Sequence, residues 1–193
     1  MTSPEWPWGN LERGAYSLIM ADPPWHFATR SPKGEGRSPQ AHYQTMSLED
    51  IAALPVKALA AENCLLWLWA TAPLLDRQID ILKAWGFGYA STMVWCKTTR
   101  KTGRISMGTG YYARNSHEHV LLGKVGSPKM SSRSVRSVVM GPVREHSRKP
   151  DSAYDAARAL VSYGRAADLF AREVRPGWES WGDELGKFQG AFL

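Results

Sequence analysis

The sequence predicts an α/β fold with a mostly parallel central sheet, and three observations support this prediction. Short apolar runs that suit buried strands alternate with segments whose apolar residues recur at helical spacing. The first run, residues 16–21, is closed at once by Asp22 and two prolines, as expected where a buried strand must stop. The 193 residues are 44% hydrophobic, enough to fill one core, so we expect a single domain over residues 1–193.

The first half of the chain is predicted to hold three strands and two helices. Ser47 opens a Ser-Leu-Glu-Asp capping box, which predicts a short helix that Pro55 interrupts. Apolar residues at helical spacing predict a helix over residues 74–85, and Gly86 ends it. The remaining apolar runs predict strands at residues 16–21, 64–69 and 89–97.

The second half is predicted to alternate in the same way. Residues 98–114 are rich in Gly, Lys and Arg, which predicts a loop. Pro150 suits the first turn of a helix expected over residues 151–163, and Gly164 ends that helix. Further strands are predicted at residues 118–122, 135–140, 166–170 and 178–181.

The segment Asp22-Pro23-Pro24-Trp25 is the strongest functional signal in the chain. It follows a predicted strand, and in open α/β sheets ligands bind outside the carboxyl ends of the strands. Both prolines fix φ and lack an N–H, so they hold nearby carbonyls in a preset direction. With the carboxylate of Asp22 and the flat ring of Trp25, the loop suits a planar group that bears an amine, such as adenine. Taken alone, a rigid turn with Trp25 in the core explains the segment equally well.

Composition and charge narrow the range of partners and compartments. A net charge of +6 and a pI near 9.4 favour a polyanionic partner, although charge alone is a weak discriminator. Cys64 and Cys96 fit no metal or redox spacing, so we expect a reducing, cytoplasmic location. No apolar stretch approaches a membrane span and no signal pattern opens the chain, so no membrane association is expected.

Two other classes of site find little support in the sequence. No Gly-rich dinucleotide fingerprint follows an early strand, which argues against an NAD-type enzyme. His117 and His119 can share one side of a strand, as metal ligands would. No nearby Cys or third His completes such a site, so no metal is expected.

Several further segments stand in a fixed order after the tetrapeptide. They are residues 42–47 (HYQTMS), 66–71 (LWLWAT), 94–98 (VWCKT), 108–112 (GTGYY), 144–151 (REHSRKPD), 168–172 (DLFAR) and 177–184 (GWESWGDE). Together they resemble the MT-A70-like family of S-adenosylmethionine-dependent adenine-N6 methyltransferases, in its compact bacterial or phage form. The resemblance covers residues 16–184, which is most of the chain.

The resemblance implies a Rossmann-like class I methyltransferase fold with a permuted motif order, in which the catalytic loop precedes the cofactor-binding segments. It implies S-adenosylmethionine as the cofactor. Asp183 stands where many relatives carry Asn, so an amide has become an acceptor-only carboxylate. By the same resemblance, Tyr43 senses the target base and Glu118 lies near the acceptor pocket. The implied cofactor contacts are Lys149, Asp168, Phe170, Arg172, Asp183 and Glu184.

The hypothesis that follows is direct methyl transfer to N6 of adenine in nucleic acid. Asp22 and the Pro23 carbonyl would accept the two N–H bonds of the amine, Pro24 would stiffen the loop, and Trp25 would stack on the base. Basic loops at residues 28–41 and 97–104 are candidates for gripping phosphates, although a solvated surface explains them as well. The residues concerned are Arg30, Lys33, Arg37, Lys97, Arg100, Lys101 and Arg104.

Two alternatives remain open from the sequence. The first is a catalytically silent nucleic-acid-binding partner subunit, and the second is an amino-methyltransferase that acts on cytosine N4 or a small amine. DNA is favoured over RNA because the short chain resembles compact bacterial or phage members. The sequence also leaves open a homo-oligomer or a partner subunit.

Overall fold

The computed structural model describes residues 6–26, 45–110, 112–145 and 148–186, which form a seven-stranded sheet and three α-helices. The strands are β1 (Tyr16–Ala21), β2 (Ala60–Ala70), β3 (Gly88–Thr98), β4 (His117–Val125), β5 (Val138–Pro142), β6 (Arg165–Leu169) and β7 (Glu179–Trp181). The helices are α1 (Leu48–Ala53), α2 (Leu75–Ala84) and α3 (Asp151–Leu160), with short 3-10 turns at Val56–Leu59 and Ala72–Leu74.

The strand order is β5-β3-β4-β2-β1-β6-β7. Strand β4 is antiparallel to both of its neighbours, and the other pairs are parallel, so six of the seven described strands run in one direction. The predicted mostly parallel α/β sheet, consistent with a Rossmann-like fold, is confirmed. Strand β1 pairs with β2 on one side and with β6 on the other, so the crevice at its carboxyl end is a topological switch point.

Both faces of the sheet are buried, as apolar strand runs require. Leu18 and Met20 of β1 belong to one core cluster, which α3 covers through Ala153 and Ala157. The alternate β1 residues belong to a second cluster, which α1 and α2 cover. Glu118 and Asp168, both on strands, lie on the face that α3 covers, because their neighbours two residues along belong to that cluster.

Several element ends differ from the sequence-based expectations. The helix expected over residues 151–163 ends at Leu160, because Val161 is extended and fully buried. A loop residue caps this end: Ser131 donates its backbone N–H to the Leu160 carbonyl, and its Oγ accepts the N–H of Ser162. Helical periodicity contains no information about such a long-range cap.

Other boundaries follow from local backbone geometry. Pro150 is the N-cap of α3, one residue before the helical turn in which we expected it. The predicted N-cap is confirmed, since Ser47 Oγ accepts the Asp50 backbone N–H at 3.0 Å, while the Asp50 carboxylate accepts from Ser47 Oγ at 2.7 Å. Strand β6 stops before Phe170, whose φ of 62° lies in the left-handed region. Strand β5 begins three residues later than predicted and runs on to Pro142.

Across the described ranges, the helices are too short or too polar to cross a membrane.

Candidate active site

The Asp22–Trp25 loop leaves the carboxyl end of β1 and is held by backbone hydrogen bonds. Asp22 donates its N–H to the Leu169 carbonyl at the end of β6, at 3.3 Å. The Pro23 carbonyl accepts the N–H of Trp25 at 2.8 Å, and the Pro24 carbonyl accepts that of Met46 at 3.0 Å. The loop is therefore fixed to the switch point of the sheet, with the carboxylate of Asp22 part-exposed.

Trp25 fills the core. Its side chain is only 4% exposed, and its Nε1 donates to the Trp69 carbonyl at 3.1 Å. As the loop stands, Trp25 offers no free ring face, so stacking on a base would require the loop to move. The packing role that the sequence left open is the one observed here.

Four alternating charges, which we name the charge chain, meet at the same edge of the sheet. Lys149 Nζ lies 3.1 Å from Asp22 Oδ2 and 2.8 Å from Glu118 Oε2. The other oxygen of Glu118 lies 2.6 Å from Lys97 Nζ. The contacts form because β1 and β3 end at this edge, whereas the antiparallel β4 begins here. The charge chain thus runs Asp22, Lys149, Glu118, Lys97.

The members of the charge chain stabilise one another in their charged forms. Burial by itself raises the pKa of Glu118, but the ammonium groups of Lys149 and Lys97 outweigh it and hold the pKa at about 2. Burial by itself lowers the pKa of Lys149, but Asp22 and Glu118 outweigh it, so this pKa is raised. Glu118 and Lys149 therefore keep their charges at any ordinary pH.

A cavity of about 460 Å³ lies between the ends of β1, β6 and β7. These strands are adjacent and parallel, so the turns that follow them form its walls. Four of the six predicted cofactor contacts line it, together with Asp22. The lining residues are Asp22, Pro24, Thr45, Met46, Ser47, Asp50, Phe170, Ala171, Arg172, Trp181, Gly182, Asp183 and Glu184.

The cavity wall after β6 begins with a strained residue. Phe170 has a positive φ, which costs free energy for a side chain with a Cβ and is concentrated at functional sites. Its ring packs edge-to-face on Trp181 and Trp8, with centroids 5.3 and 6.4 Å apart. These contacts stabilise the turn that carries Phe170 along the cavity.

The turns after β6 and β7 approach each other closely. Ala171 donates its N–H to the Trp181 carbonyl at 2.9 Å. A Cβ on Gly182 would lie 2.4 Å from the Ala171 carbonyl oxygen, so only glycine fits at this point. The close approach brings Arg172 and Glu184 into one wall, where Arg172 Nε lies 3.5 Å from Glu184 Oε2.

Asp168 does not line the cavity in this structure, so the cofactor contact expected of it stays a prediction. Strand alternation places its carboxylate on the face that α3 covers, where it is 2% exposed and accepts a hydrogen bond from Tyr154 Oη at 3.0 Å. Burial raises the pKa of Asp168 to about 7. Lys149 is likewise not in the cavity lining, but it touches the cavity residue Asp22.

Comparison with known proteins adds an independent finding. The family model described as MT-A70 matches residues 16–184. The chain belongs to the MT-A70 family. The match confirms the resemblance noted in the sequence, and it includes every described residue of the charge chain and of the cavity.

Individual MT-A70 relatives are similar along most of this chain. A putative N(6)-adenosine-methyltransferase MT-A70-like of Medicago truncatula is 33% identical over 175 residues, which is 89% of this chain and 27% of that protein. The type II methyltransferase M.MunI of Mycoplasma sp is 30% identical over 194 residues, 91% of this chain and 80% of that protein. The human N(6)-adenosine-methyltransferase catalytic subunit METTL3 is 28% identical over 89% of this chain and 28% of its own length. This chain spans about a quarter of the length of the plant relatives.

The expected phosphate contacts of this MT-A70 chain fall into three groups. Lys101 and Arg104 are exposed on a hairpin after β3, which a Thr98–Ile105 bridge closes. Lys97 is paired with Glu118, and Arg100 is paired with Glu145 while its side chain stays 60% exposed, so a phosphate would compete with a carboxylate at both. Arg30, Lys33 and Arg37 lie outside the described residues, and so does Tyr43, the residue expected to sense the target base.

The histidine pair lies at the start of β4. Its Nε2 atoms are 3.0 Å apart, and burial, followed by the neighbouring His117, lowers the pKa of His119. Within the ranges described, no group of three or more His, Cys, Asp or Glu side chains is arranged to hold a metal ion.

Sequence reasoning missed part of the cavity wall. Asp50 was interpreted only as part of a helix cap, and Ser47 as a cap residue that also closes the family segment HYQTMS, yet both line the cavity. Thr45 and Met46 lie inside the family segment HYQTMS and line it too. Their position in that segment was the signal that could have identified them.

Proposed function

We propose that this chain transfers the methyl group of S-adenosylmethionine to N6 of adenine in nucleic acid, with DNA favoured over RNA. The observation that carries the proposal is the position of Asp22. Its carboxylate is the point where the charge chain meets the cavity, in a loop that two prolines stiffen.

The cavity residues fit S-adenosylmethionine chemically. Asp183 and Glu184 are acceptors for hydroxyl or ammonium groups, Arg172 suits a carboxylate, and the ring of Phe170 suits a flat base. A volume of about 460 Å³ is in the range of small-molecule sites. When bound, S-adenosylmethionine supplies a methyl group on a positively charged sulfur. The cofactor contact expected of Lys149 stays a prediction, since both of its carboxylate partners are internal.

Asp22 would act as an acceptor for the target amine. Lys149 contacts Oδ2 of Asp22, so Oδ1 is left to accept an N–H from adenine N6. As the bond from nitrogen to the methyl carbon forms, positive charge develops on nitrogen, and the fixed negative charge of Asp22 stabilises it. The new bond replaces the bond between the methyl carbon and sulfur, whose electron pair stays on sulfur, and the amine then gives one proton to water. Pro23 is buried, does not line the cavity and already accepts the Trp25 N–H, so the role of its carbonyl as the second acceptor stays a prediction.

The preference for DNA rests on the comparison with relatives, and the hairpin charges support a nucleic acid of either kind. M.MunI, a type II methyltransferase, is matched over 80% of its length, whereas the N(6)-adenosine-methyltransferases are matched over about a quarter of theirs. Lys101 and Arg104 present exposed positive charge on a hairpin at the edge of the sheet that carries Asp22. A duplex substrate would have to release its adenine from the stack, at a cost of about a few kcal/mol.

The test is methyl transfer from labelled S-adenosylmethionine to single-stranded DNA, duplex DNA and RNA, with the product nucleoside identified by mass spectrometry. N6-methyladenine from one polymer, lost in Asp22→Ala, is the expected result. Detection of N4-methylcytosine instead would identify cytosine N4, and not adenine N6, as the acceptor. Cofactor and nucleic acid binding without any product would favour the silent partner subunit.

A further inference from the structure

A buried ion pair next to the site takes no part in the reaction proposed above. Arg148 Nε donates to Glu173 Oε1 at 2.9 Å, and Arg148 Nη2 donates to Glu173 Oε2, so the pair is bidentate. Arg148 is 6% exposed and Glu173 is 5% exposed. Neither side chain lines the cavity.

The place of the pair in the chain connects the two halves of the site. Arg148 immediately precedes Lys149, whose ammonium contacts Asp22. Glu173 immediately follows Arg172, which lines the cavity. A two-point contact between Arg148 and Glu173 therefore fixes the segment that holds Asp22 against the segment that forms the cavity wall.

A second arginine strengthens this connection. Arg175 Nη2 donates to Glu173 Oε1, and Arg175 Nη1 donates to Asp151 Oδ1 at 2.7 Å. Asp151 is the first residue of α3 and also accepts from Arg144 Nη1 at 2.9 Å. Burial by itself raises the pKa of Glu173, but Arg148 and Arg175 outweigh it and keep the carboxylate ionised. The segment around Lys149 is thus held from both sides.

Stability alone is a poor explanation for such a pair. Removing two charges from water costs about as much as their attraction returns, and well-packed apolar replacements are often as stable. A bidentate contact does fix relative position and orientation, because the planar guanidinium matches the carboxylate at two points. Displacements of about 1 Å at a reacting centre can cost roughly a hundredfold in rate.

We propose that Arg148 and Glu173 are positioning residues, which set Lys149 and Asp22 at a fixed distance from the cofactor cavity. The inference rests on the proposed function. It makes the pair a determinant of both cofactor affinity and turnover, although neither side chain touches a ligand.

The experiment compares two apolar double variants. Arg148→Met with Glu173→Met removes both charges of the pair, and Arg175, which also loses Glu173, keeps its contact with Asp151 at 2.7 Å. Arg165→Met with Glu179→Met is the matched control, because Arg165 contacts Glu179 at two points, both 2.7 Å, at the other end of β6 and β7. For each variant we would measure the thermal unfolding midpoint, the Kd for S-adenosylmethionine by calorimetry, and kcat at saturating cofactor and nucleic acid.

The expected result is a fall in kcat of roughly tenfold to a hundredfold and a severalfold weaker Kd in the first variant, with the control near wild type. Wild-type Kd and kcat in a folded first variant would overturn the proposal. If that variant does not fold, Arg148→Lys keeps the charge and loses the two-point fork. A wild-type Kd and kcat in Arg148→Lys would then overturn it.

Failure of the proposed function would be separable. If the wild-type chain binds S-adenosylmethionine and transfers no methyl group, the proposed activity fails. The positioning role is then tested only by the Kd of the variants for S-adenosylmethionine. A wild-type Kd in the variants then counts against that role. If the wild-type chain binds no S-adenosylmethionine, the cavity assignment and the positioning proposal both fail.

Discussion

Two buried carboxylates lie on the same face of the sheet and behave in opposite ways. Burial raises the pKa of both Glu118 and Asp168, yet the pKa of Glu118 is about 2 and that of Asp168 is about 7. Glu118 contacts two ammonium groups, whereas Asp168 accepts a hydrogen bond from the neutral phenol of Tyr154. The comparison teaches that the charged partners of a buried carboxyl group, and not the extent of its burial, decide whether it stays ionised.

The difference also separates two roles. The charge chain ends at Asp22 on the cavity and keeps a negative charge ready where positive charge would develop. The Asp168 region lies behind the cavity and has a carboxyl group that titrates near neutral pH.

The largest effect is expected at the cavity end of the charge chain. Asp22→Asn keeps the shape and removes the charge, so methyl transfer should fall at least about a hundredfold. Asp168→Asn is the matched change and should leave turnover largely intact. Steady-state methyl transfer by both variants, with their cofactor Kd, checks the prediction. An equal loss of methyl transfer in Asp22→Asn and Asp168→Asn would show that the charge chain and the Asp168 region do not differ in role.

Removing the charge of Glu118 should destabilise the fold. Glu118→Gln leaves Lys97 without its carboxylate partner and Lys149 with Asp22 alone, at a cost of about 3 kcal/mol in the free energy of unfolding. Urea unfolding at pH 7 measures it. Lys97→Met combined with Glu118→Met should recover part of the loss. An unchanged free energy in Glu118→Gln would mean that the charge chain is solvated rather than buried.

Removing the charge of Asp168 should have the opposite effect and raise the free energy of unfolding. Its folded pKa lies above the unfolded value of 3.8, so the stability linked to its protonation is present below pH 3.8 and lost as the pH rises through about 7. Asp168→Asn should therefore gain stability over wild type at pH 8, by about 1–3 kcal/mol, with a smaller gain at pH 5. Urea unfolding at both pH values tests this. A gain that is equal at the two would contradict the raised pKa.

For Glu118 the pH dependence of stability runs in the opposite direction. Its folded pKa lies below the unfolded value, so its contribution is present above about pH 4.5 and is lost as the pH falls toward 2.

The smallest effect concerns the exposed hairpin. Lys101→Ala with Arg104→Ala should weaken nucleic acid binding and reduce the slope of log K against log salt by about 2. Arg100→Ala should change the slope less, because Arg100 is already paired with Glu145. Binding measured over a series of salt concentrations distinguishes them. Equal slopes for all three proteins would remove the hairpin from the binding surface.

Features that are local in the chain were predictable from the sequence. The run at residues 16–21 and the loop that follows it placed Asp22 at a strand end, and the family segments placed Phe170, Arg172, Asp183 and Glu184 around one cavity. Both depend on neighbours in sequence. Strand alternation around Ala167 and Leu169 could also have shown that Asp168 belongs to the other face.

Features that depend on distant contacts were not predictable. The contact between Lys149 and Glu118 requires the antiparallel β4, which brings Glu118 to the edge where Lys149 also meets Asp22. The pairing of Arg100 with Glu145 and the burial of Trp25 depend on tertiary packing. A residue type shows which charge is present, and only the fold shows whether that charge is already neutralised.

The reversed direction of β4 has a consequence for how this scaffold can be altered. Because β3 ends and β4 begins at the edge that carries Asp22, their connection leaves the sheet and returns at one place. The hairpin closed by the Thr98–Ile105 bridge is part of that connection. Its length can change without shifting the register of either strand. We therefore expect that hairpin to be the exchangeable module of the scaffold, where grafting a different loop redirects the choice of target site while the catalytic framework stays intact.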